Sequence, residues 1–489
     1  MRELRRLSAA LLLGSTVLLV GGGARSQEED AGSADPGRRD PKLEAAVKAL
    51  VRDRSLKDAA IGVQIVDAET GAVLASSGEH TVLNPASNAK LYTAAAALAI
   101  LHGSHKYQTT LSGTIKSGAA SALVLRGHGD PSLKSEDLWA MVQELKVHGA
   151  KRVDGDIVVD QKFFDEQTTP PAFEQQPHEW ASFRAPVSAV ALNGNTITLA
   201  VRPTSPGGRA ISAFDPPGFV DVDGTVKTSD EGADTVGLEL TPNGKRLAAK
   251  VSGNVGAEAK LVRYTRRVED PQLLAGYALK AILEENGLKV HGEVKLGTGG
   301  KTVLVKHESD PLSALLYALG KHSDNFYAEM IFKSLAAESK RPGKASEAAE
   351  ILTSWLQKND LMDSGLVVKN GSGLFDANRT TAHAVTKLLR HAWQDSALKN
   401  EFVAQLAIGG VDGTLHKRFL HLKAHRSVRA KTGTLEDSIA LSGYVLGPPK
   451  KGAIAFSILF NHVSGRGGSA RLAADKLVDL IHNRLWTGG

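Results

Sequence analysis

The sequence predicts an α/β fold of the α+β type: a five-stranded antiparallel sheet covered by helices and interrupted by a β-rich insertion. Strand-like runs lie near both ends of the chain, in Ala60–Ser77 and between Ser427 and Asn461, and helical patterns flank them. Between roughly Leu111 and Val305, short β-type runs alternate with Gly, Pro and Asp, and few helices interrupt them. We therefore expect the two ends to form one sheet and the middle to be inserted into it.

The first elements after residue 41 are predicted from periodicity and turn signals. Lys42–Val51 has the pattern of an amphipathic helix, and Ala60–Ser77 contains two β-rich runs about Glu69-Thr70-Gly71, as in a hairpin. The alanine-rich stretch Ser87–Leu101 predicts a helix that follows this hairpin.

The C-terminal elements complete the predicted sheet. Ser427–Thr434, Ile439–Leu446 and Ala453–Asn461 indicate three strands, and Ala470–Trp486 indicates a final amphipathic helix. The predicted outer domain therefore comprises residues 42–110 and 305–489. Residues 111–304 form the predicted β-rich insertion, which we expect to have two lobes.

The N-terminal residues 1–26 have the pattern of a signal peptide. Arg2, Arg5 and Arg6 precede the mainly apolar run Leu11–Val20, and Ala24-Arg25-Ser26 offers small residues for cleavage. An uncleaved anchor helix is the alternative, although the apolar run is short for one. Residues 27–41 mix both charges with Gly, Pro and Ser, which predicts a flexible tether. We expect an exported protein of the periplasm or cell envelope.

Composition excludes several functions. The formal charge of +6 is small for 489 residues, and half of that excess lies in residues 1–26, so it gives no reason to expect nucleic-acid binding. Weak attraction to anionic wall polymer or to a membrane surface stays open. No cysteine is present, which excludes a disulfide framework, a thiol nucleophile and a lipid-modified cysteine. No later segment is long and apolar enough to span a bilayer.

The first chemical motif is Ser87-x-x-Lys90 at the start of the predicted helix. Residues three apart on a helix share a face, so the Lys90 amine can reach the Ser87 hydroxyl. A serine in the first turn also lies near free backbone N–H groups. Ser396-x-x-Lys399 has the same spacing, but it lacks the preceding hairpin and Pro85 and reads as helix surface.

Two further motifs follow in order along the chain. Ser323-Asp324-Asn325 falls in a predicted loop between helices, and Lys431–Thr434 (Lys-Thr-Gly-Thr) falls on a predicted strand. Each is weak by itself, and Ser252-x-Asn254 matches part of the second motif by chance. The ordered set Ser-x-x-Lys, Ser-Asp-Asn and Lys-Thr-Gly is typical of class A β-lactamases and penicillin-binding proteins.

The residue types point to nucleophilic catalysis without a cofactor. A serine hydroxyl needs a base to take its proton, and no cysteine or motif-adjacent histidine is present, so Lys90 is the candidate base for Ser87. Burial and the nearby cation Lys431 would favour neutral Lys90. His421 and His425 have a spacing compatible with metal binding, but no third ligand is evident, and we predict no metal site there.

Beyond these motifs, nearly the whole mature chain resembles the class C low-molecular-mass penicillin-binding proteins, the D-alanyl-D-alanine carboxypeptidase/endopeptidase family. The segments similar to that family are Gly129–Leu133, Leu192–Asn195, Lys321–Glu329, Gly371–Leu374, Asp412–Leu415 and Arg429–Leu435. The long gap between the first two motifs also resembles the family, which inserts two extra domains there. Asn370 and the acidic Glu436-Asp437-Ser438 depart from its usual pattern, and either departure could change substrate preference.

The resemblance implies a β-lactamase/transpeptidase-like catalytic domain and a role for each motif residue. Ser87 would attack the carbonyl of the penultimate D-Ala of a peptidoglycan stem peptide, with Lys90 as base. Ser323 would pass a proton to the departing D-Ala, and Asn325 would hold Lys90 and the substrate amide. β-Lactam antibiotics would acylate the same serine, and the reaction needs no metal or organic cofactor.

The third motif would bind substrate. The resemblance implies that Lys431, with Thr432 and Thr434, receives the terminal carboxylate, while Gly433 lets the backbone of the ligand approach closely. Backbone N–H groups of Ser87 and Thr434 would form the oxyanion hole.

Two alternatives compete with a D-Ala-D-Ala carboxypeptidase. A secreted serine β-lactamase of class A would carry Glu-x-x-Leu-Asn, but before Leu192-Asn193 the glutamate position holds Ala189. A catalytically inactive wall-binding scaffold would not need the intact motif residues. The sequence leaves open the preference for free peptide ends or cross-links, the diamino acid of the stem peptide and the oligomeric state.

Overall fold

A computed structural model gives the fold and describes residues 39–230 and 234–487. The predicted signal peptide and residues 27–38 of the predicted tether lie outside this part of the chain. The described helices are α1 (Pro41–Val51), α2 (Ala89–Leu101), α3 (Ser135–Val147), α4 (Leu274–Glu285), α5 (Leu312–Gly320), α6 (Asn325–Ser339), α7 (Ala345–Lys358), α8 (Ala382–Gln394), α9 (Lys399–Ala404) and α10 (Gly467–Trp486).

The strands follow the same order along the chain. They are β1 (Ala60–Asp67), β2 (Val73–Ser77), β3 (Gln108–Lys116), β4 (Ala119–Gly127), β5 (Arg152–Val153), β6 (Ile157–Asp160), β7 (Thr196–Arg202), β8 (Ile211–Asp215), β9 (Val220–Gly224), β10 (Lys227–Ser229), β11 (Gly237–Asn243), β12 (Arg246–Ser252), β13 (Asn254–Gly256), β14 (Val262–Arg267), β15 (Lys289–Val290), β16 (Val294–Leu296), β17 (Val303–Glu308), β18 (Ala407–Ile408), β19 (Val428–Thr434), β20 (Ser438–Leu446) and β21 (Ala453–Asn461).

The main sheet unites both ends of the chain, as predicted. Its order is β18-β19-β20-β21-β1-β2, and every pairing is antiparallel. β21 lies between β1 and β20, with Val63 opposite Ile458 on one side and Leu441 opposite Ile458 on the other. The five predicted strands are present, and the two-residue strand β18 adds a sixth at the edge that the sequence did not predict.

Helices cover both faces of this sheet. On one face, Leu43 of α1 and Ile481 of α10 belong to a buried cluster that includes Ile65 and Phe456 of the sheet. On the other face, α2 and α5 to α8 pack together against sheet residues such as Tyr444. Burial on both faces explains why β21 is buried at every position and is apolar almost throughout.

Helix α2 lies at the centre of the outer domain. Nearly all its side chains are buried, so it has no polar face, and its many alanines allow neighbouring helices to approach closely. The helix begins at Ala89, whereas the sequence predicted a start at Ser87. Residues Ala86–Asn88 instead form a 3-10 turn that leads directly into the helix.

The end of the predicted tether is held in place. Helix α1 begins at Pro41, and the Asp40 carboxylate accepts hydrogen bonds from the backbone N–H groups of Lys42 and Leu43. The same carboxylate accepts a 2.7 Å hydrogen bond from Arg484 Nε near the end of α10. Residues 39–41 are therefore part of the folded domain, because Asp40 caps one terminal helix and binds the other.

The middle of the chain contains the remaining sheets. One sheet has the order β15-β5-β4-β3-β17 and also includes β6 and β16. Its first strand along the chain, β3, begins at Gln108, and its last, β17, ends at Glu308. Both ends lie just outside the predicted insertion of residues 111–304. Smaller sheets join β14-β7-β8, β11-β12-β9 and β10-β13. One buried cluster joins the large sheet to residues of β7 and β12, and a second cluster lies within the small sheets. The division of the insertion into two lobes stays a prediction.

Within residues 39–230 and 234–487, no helix combines the length and apolar character needed to cross a membrane.

Candidate active site

The turn that carries Ser87 is anchored by hydrogen bonds of the residues just before it. Ala86 adopts a left-handed conformation with φ of 46°, which is costly for a residue with a side chain. Its backbone N–H donates to Asn84 Oδ1 at 2.9 Å. Asn461 of β21 accepts from the Asn84 N–H and donates to the Asn84 carbonyl. The C-terminal end of the central strand β21 therefore fixes the turn that presents Ser87.

Lys90 lies beneath Ser87 and is fully buried. Its Nζ is 3.1 Å from Ser87 Oγ, 2.7 Å from Asn325 Oδ1 and 2.6 Å from the carbonyl oxygen of Ser372. The predicted contact between the first serine and lysine is therefore present, and Asn325 of the second motif joins it. Such a fixed amine is placed to accept the hydroxyl proton of Ser87 when the amine is neutral.

Burial lowers the pKa of Lys90 to about 7, and the carboxylates of Glu329 and Asp324 oppose this by favouring the cation. A buried ammonium loses its hydration, and this penalty is larger here than the attraction of the two acidic groups. A pKa near neutrality leaves a substantial neutral fraction of Lys90 at physiological pH. The local environment therefore suits a general base.

The second motif precedes helix α6. The Asp324 side chain caps the helix by accepting from the Tyr327 N–H, which leaves Asn325 as the first helical residue. Ser323 has φ of 60°, and its Oγ accepts a 2.7 Å hydrogen bond from Lys431 Nζ. The second and third motifs are therefore joined by a direct side-chain contact.

Lys431 is the second buried lysine of the site. Burial lowers its pKa well below the usual value, and the neighbouring Lys90 lowers it further. A buried amine beside another amine is harder to protonate, because it has lost its hydration and a like charge lies nearby.

The rest of the third motif lies along β19. The Thr432 hydroxyl donates a 2.8 Å hydrogen bond to Thr414 Oγ1 in a neighbouring loop. Gly433 packs against the Ser87 turn, where an added Cβ would lie 2.9 Å from the Pro85 carbonyl oxygen. Thr434 is exposed and lines the cleft.

The sequence did not predict the roles of Glu329, Ser372 or Asn370 in this arrangement. Glu329 is buried, and its two carboxylate oxygens accept from the N–H groups of Gly371 and Ser372. This orients the Ser372 carbonyl that holds Lys90. Burial raises the pKa of Glu329. Its position four residues after Asn325, on the same face of α6, was the available sequence signal.

Asn370 closes the same loop. Its Oδ1 accepts from the Gly373 N–H at 2.9 Å, and its Nδ2 donates to the carbonyls of Pro171 and Leu374. The amide both accepts and donates here, and a carboxylate could not donate to those two carbonyls. Asn370 thus connects the loop to residue 171 in the middle of the chain.

We predict that Gly373→Ala strongly destabilises the protein. Gly373 has φ of 74°, and an added Cβ would lie 1.9 Å from the Ala86 carbonyl oxygen. Left-handed strain and overpacking together should cost about 3–5 kcal/mol, measured by urea unfolding.

Gly207→Ala is the matched control for this prediction. Gly207 has φ of 77°, but nothing lies within 4 Å of its added Cβ. It should therefore lose only the strain contribution, about 1–2 kcal/mol. Equal losses in the two variants would show that the contact between Gly373 and the Ser87 turn is unimportant.

The motif residues open into a cleft of about 950 Å³, lined by Ser87, Ser323, Asn325 and Thr434 among others. Phe183, from the middle of the chain, also lines it, and its carbonyl accepts a 3.0 Å hydrogen bond from Asn325 Nδ2. A half-buried serine that lines an accessible cleft, paired with a buried lysine, can form and hydrolyse an acyl-enzyme.

Fold and site together define a serine enzyme of the penicillin-recognising type. The chain belongs to the D-Ala-D-Ala carboxypeptidase 3 (S13) family, which matches residues 43–483. It is 33% identical over 462 residues to the D-alanyl-D-alanine carboxypeptidase of Actinomadura sp. (strain R39), covering 90% of this chain and 84% of that protein. It is 26% identical to D-alanyl-D-alanine carboxypeptidase DacB of Haemophilus influenzae, covering 76% of this chain and 79% of that protein.

Solved structures have the same fold. The crystal structure of penicillin binding protein 4 (dacB) from Haemophilus influenzae aligns with a TM-score of 0.73 at 24% identity, covering 89% of this chain and 99% of that one. The predatory endopeptidase Bd0816 from Bdellovibrio bacteriovorus aligns with a TM-score of 0.51 at 16% identity, covering 87% and 94% of the two chains. The predicted family, fold class and enzyme class are confirmed.

Proposed function

We propose that this protein removes the terminal D-Ala from peptidoglycan stem peptides through an acyl-enzyme at Ser87. The observation that carries the proposal is the 3.1 Å contact between Ser87 Oγ and Lys90 Nζ, together with the pKa of about 7 for Lys90. Membership in the D-Ala-D-Ala carboxypeptidase family supports this substrate. Cleavage of a D-Ala-containing cross-link would use the same chemistry and is the second proposed activity.

Acylation begins when neutral Lys90 accepts the proton of Ser87 Oγ. The oxygen then attacks the carbonyl carbon of the penultimate D-Ala, and the proposed oxyanion donors are the N–H groups of Ser87 and Thr434. When the intermediate collapses, the C–N bond breaks and the departing amine takes a proton through Ser323. Water hydrolyses the ester and regenerates the serine.

Lys431 is proposed to receive the terminal carboxylate of the substrate. The buried Lys431 amine has a lowered pKa, so an arriving carboxylate would favour its protonated form and the two groups would pair. The hydrogen bond from Lys431 Nζ to Ser323 Oγ supports a proton relay through Ser323 beside this amine. Thr434 at the cleft edge would hydrogen-bond the same carboxylate, while Thr432 would support the strand through Thr414.

Acylation should depend on pH through Lys90. The base is protonated and inactive below its pKa of about 7, so the acylation rate should fall as pH decreases through that value and level off above it. Rates with a chromogenic β-lactam between pH 5 and pH 9 would test this. A rate independent of pH across that interval would contradict the assignment of Lys90 as base.

The proposed location is the cell envelope, in the periplasm where one exists. The tripartite pattern of residues 1–26 supports export, and the proposed peptidoglycan substrate lies outside the cytoplasm. We further propose that residues 42–110 and 305–489 form the catalytic domain, with residues 111–304 as an insertion. N-terminal sequencing of the protein from cells should give a start near Gln27.

The decisive assay compares peptide and penicillin as substrates. D-Ala leaves after acylation by a peptide, so water can enter, whereas an opened penicillin stays attached and obstructs it. We expect many turnovers of D-Ala release from a pentapeptide muropeptide, followed by mass spectrometry. With penicillin we expect a burst of one equivalent and then near-zero turnover. Steady turnover of penicillin without muropeptide cleavage would instead establish the β-lactamase alternative.

A further inference from the structure

A cluster of two histidines and one aspartate lies outside the catalytic contacts. His383 Nδ1 is 3.2 Å from Asp363 Oδ2, and His80 Nδ1 is 3.8 Å from the same oxygen. The three ligand atoms lie within 4.8 Å of one another, and the two imidazole centroids are 4.6 Å apart. Among residues 39–230 and 234–487, this is the one group of three or more such side chains with this spacing.

The backbone and neighbouring hydroxyls hold the cluster in place. Asp363 Oδ2 accepts from the Thr381 hydroxyl at 2.5 Å, and Thr381 also caps helix α8. Asp363 Oδ1 accepts from the Ser364 N–H. The backbone N–H of His383 donates a 2.9 Å hydrogen bond to the backbone carbonyl of Glu79. This bond links the residue before His80 to the start of α8. Hydrogen bonds that orient a carboxylate in this way are typical of support around metal ligands.

We propose that His80, Asp363 and His383 bind one divalent transition-metal ion of the zinc type. Bonds of about 2.0–2.1 Å in a tetrahedral site put ligand atoms roughly 3.3 Å apart, so the pair Asp363–His383 already fits. The distance from His80 Nδ1 to Asp363 Oδ2 would have to shorten by roughly 0.5 Å, and His80 must also approach His383; its side chain, 64% exposed, has room to rotate. Two imidazoles favour zinc over calcium or magnesium. Solvent would occupy the fourth position.

The ion would join two segments that both lead to the active site. His80 lies seven residues before Ser87, and Asp363 precedes the loop that contains Ser372. The segments already meet where Leu83 pairs with Thr380. A metal that binds the folded arrangement and not the unfolded chain stabilises the fold by mass action. The ion is therefore structural, and the Ser87 chemistry does not use it.

The test is titration of the metal-free purified protein with zinc chloride, followed by calorimetry, thermal unfolding and anomalous diffraction at the zinc edge. We expect saturation at one ion per chain, a rise in Tm that magnesium chloride does not reproduce, and an anomalous peak among the three side chains. His80→Ala leaves the Asp363–His383 pair and the Thr381 cap intact. It should weaken zinc binding at least about tenfold, and labelling of Ser87 by penicillin would verify its fold.

His421→Ala is the matched control. His421 Nε2 also contacts a carboxylate, Asp479 Oδ2 at 3.0 Å, and belongs to the histidine pair singled out in the sequence. This variant should bind zinc as the wild type does. Absence of stoichiometric binding, equal affinity in His80→Ala and wild type, or loss of binding in His421→Ala would each overturn the proposed site. Several weakly bound ions with no peak at the cluster would identify adventitious binding only and would also overturn it.

Discussion

Replacing Ser87 with alanine is expected to abolish covalent labelling by a fluorescent penicillin and to reduce D-Ala release to background. Ser87 Oγ is the hydroxyl that contacts Lys90 at the base of the cleft, so its removal eliminates the nucleophile. Loss of a catalytic serine costs on the order of 10⁶-fold in kcat. Gel fluorescence and mass spectrometry of the labelled peptide would measure the effect.

Ser396→Ala is the matched control, because Ser396 and Lys399 repeat the spacing of the first motif. Ser396 is exposed, and the Lys399 amine lies 3.7 Å above the Trp393 ring. This variant should label and turn over substrate like the wild type. An adduct on Ser396, or full labelling of Ser87→Ala, would overturn the assignment of the nucleophile.

The variant Lys90→Met should lose acylation while keeping the nucleophile. Methionine approximates the volume of the buried lysine side chain but cannot accept the Ser87 proton. Lys431 is not expected to replace Lys90 as the base, because its Nζ is hydrogen-bonded to Ser323 Oγ. Losing a general base typically costs about 10²–10⁴-fold, to be measured as the second-order rate of penicillin acylation. D-Ala release should decrease with it, since both reactions begin with the same proton transfer.

Lys399→Met provides the control for this lysine, because it removes the half-buried lysine of the repeated spacing. Circular dichroism and thermal unfolding would establish that Lys90→Met remains folded. Acylation of folded Lys90→Met at the wild-type rate would contradict the serine–lysine mechanism.

Local sequence patterns predicted the elements whose cause is local. Alternating and continuous apolar runs predicted β1, β2 and β19 to β21, since strand burial follows directly from residue type. The alanine-rich stretch predicted α2, but its first turn was wrong: the preference for an α-helix at Ser87 was overridden by Asn84 and Asn461. Those contacts come from the sheet and cannot be read from the helix sequence.

The contact between Ser87 and Lys90 was also predicted from sequence spacing, and it survives the change of the first turn because a 3-10 turn, like an α-helix, brings residues three apart onto one face. The other contacts of Lys90 depend on tertiary structure: Ser372 and Asn325 lie 282 and 235 residues away along the chain. The lowered pKa values of both lysines arise from burial, a property of the whole packed domain and not of the motif. The cluster of His80, Asp363 and His383 has the same origin, because only folding brings distant segments within coordination distance.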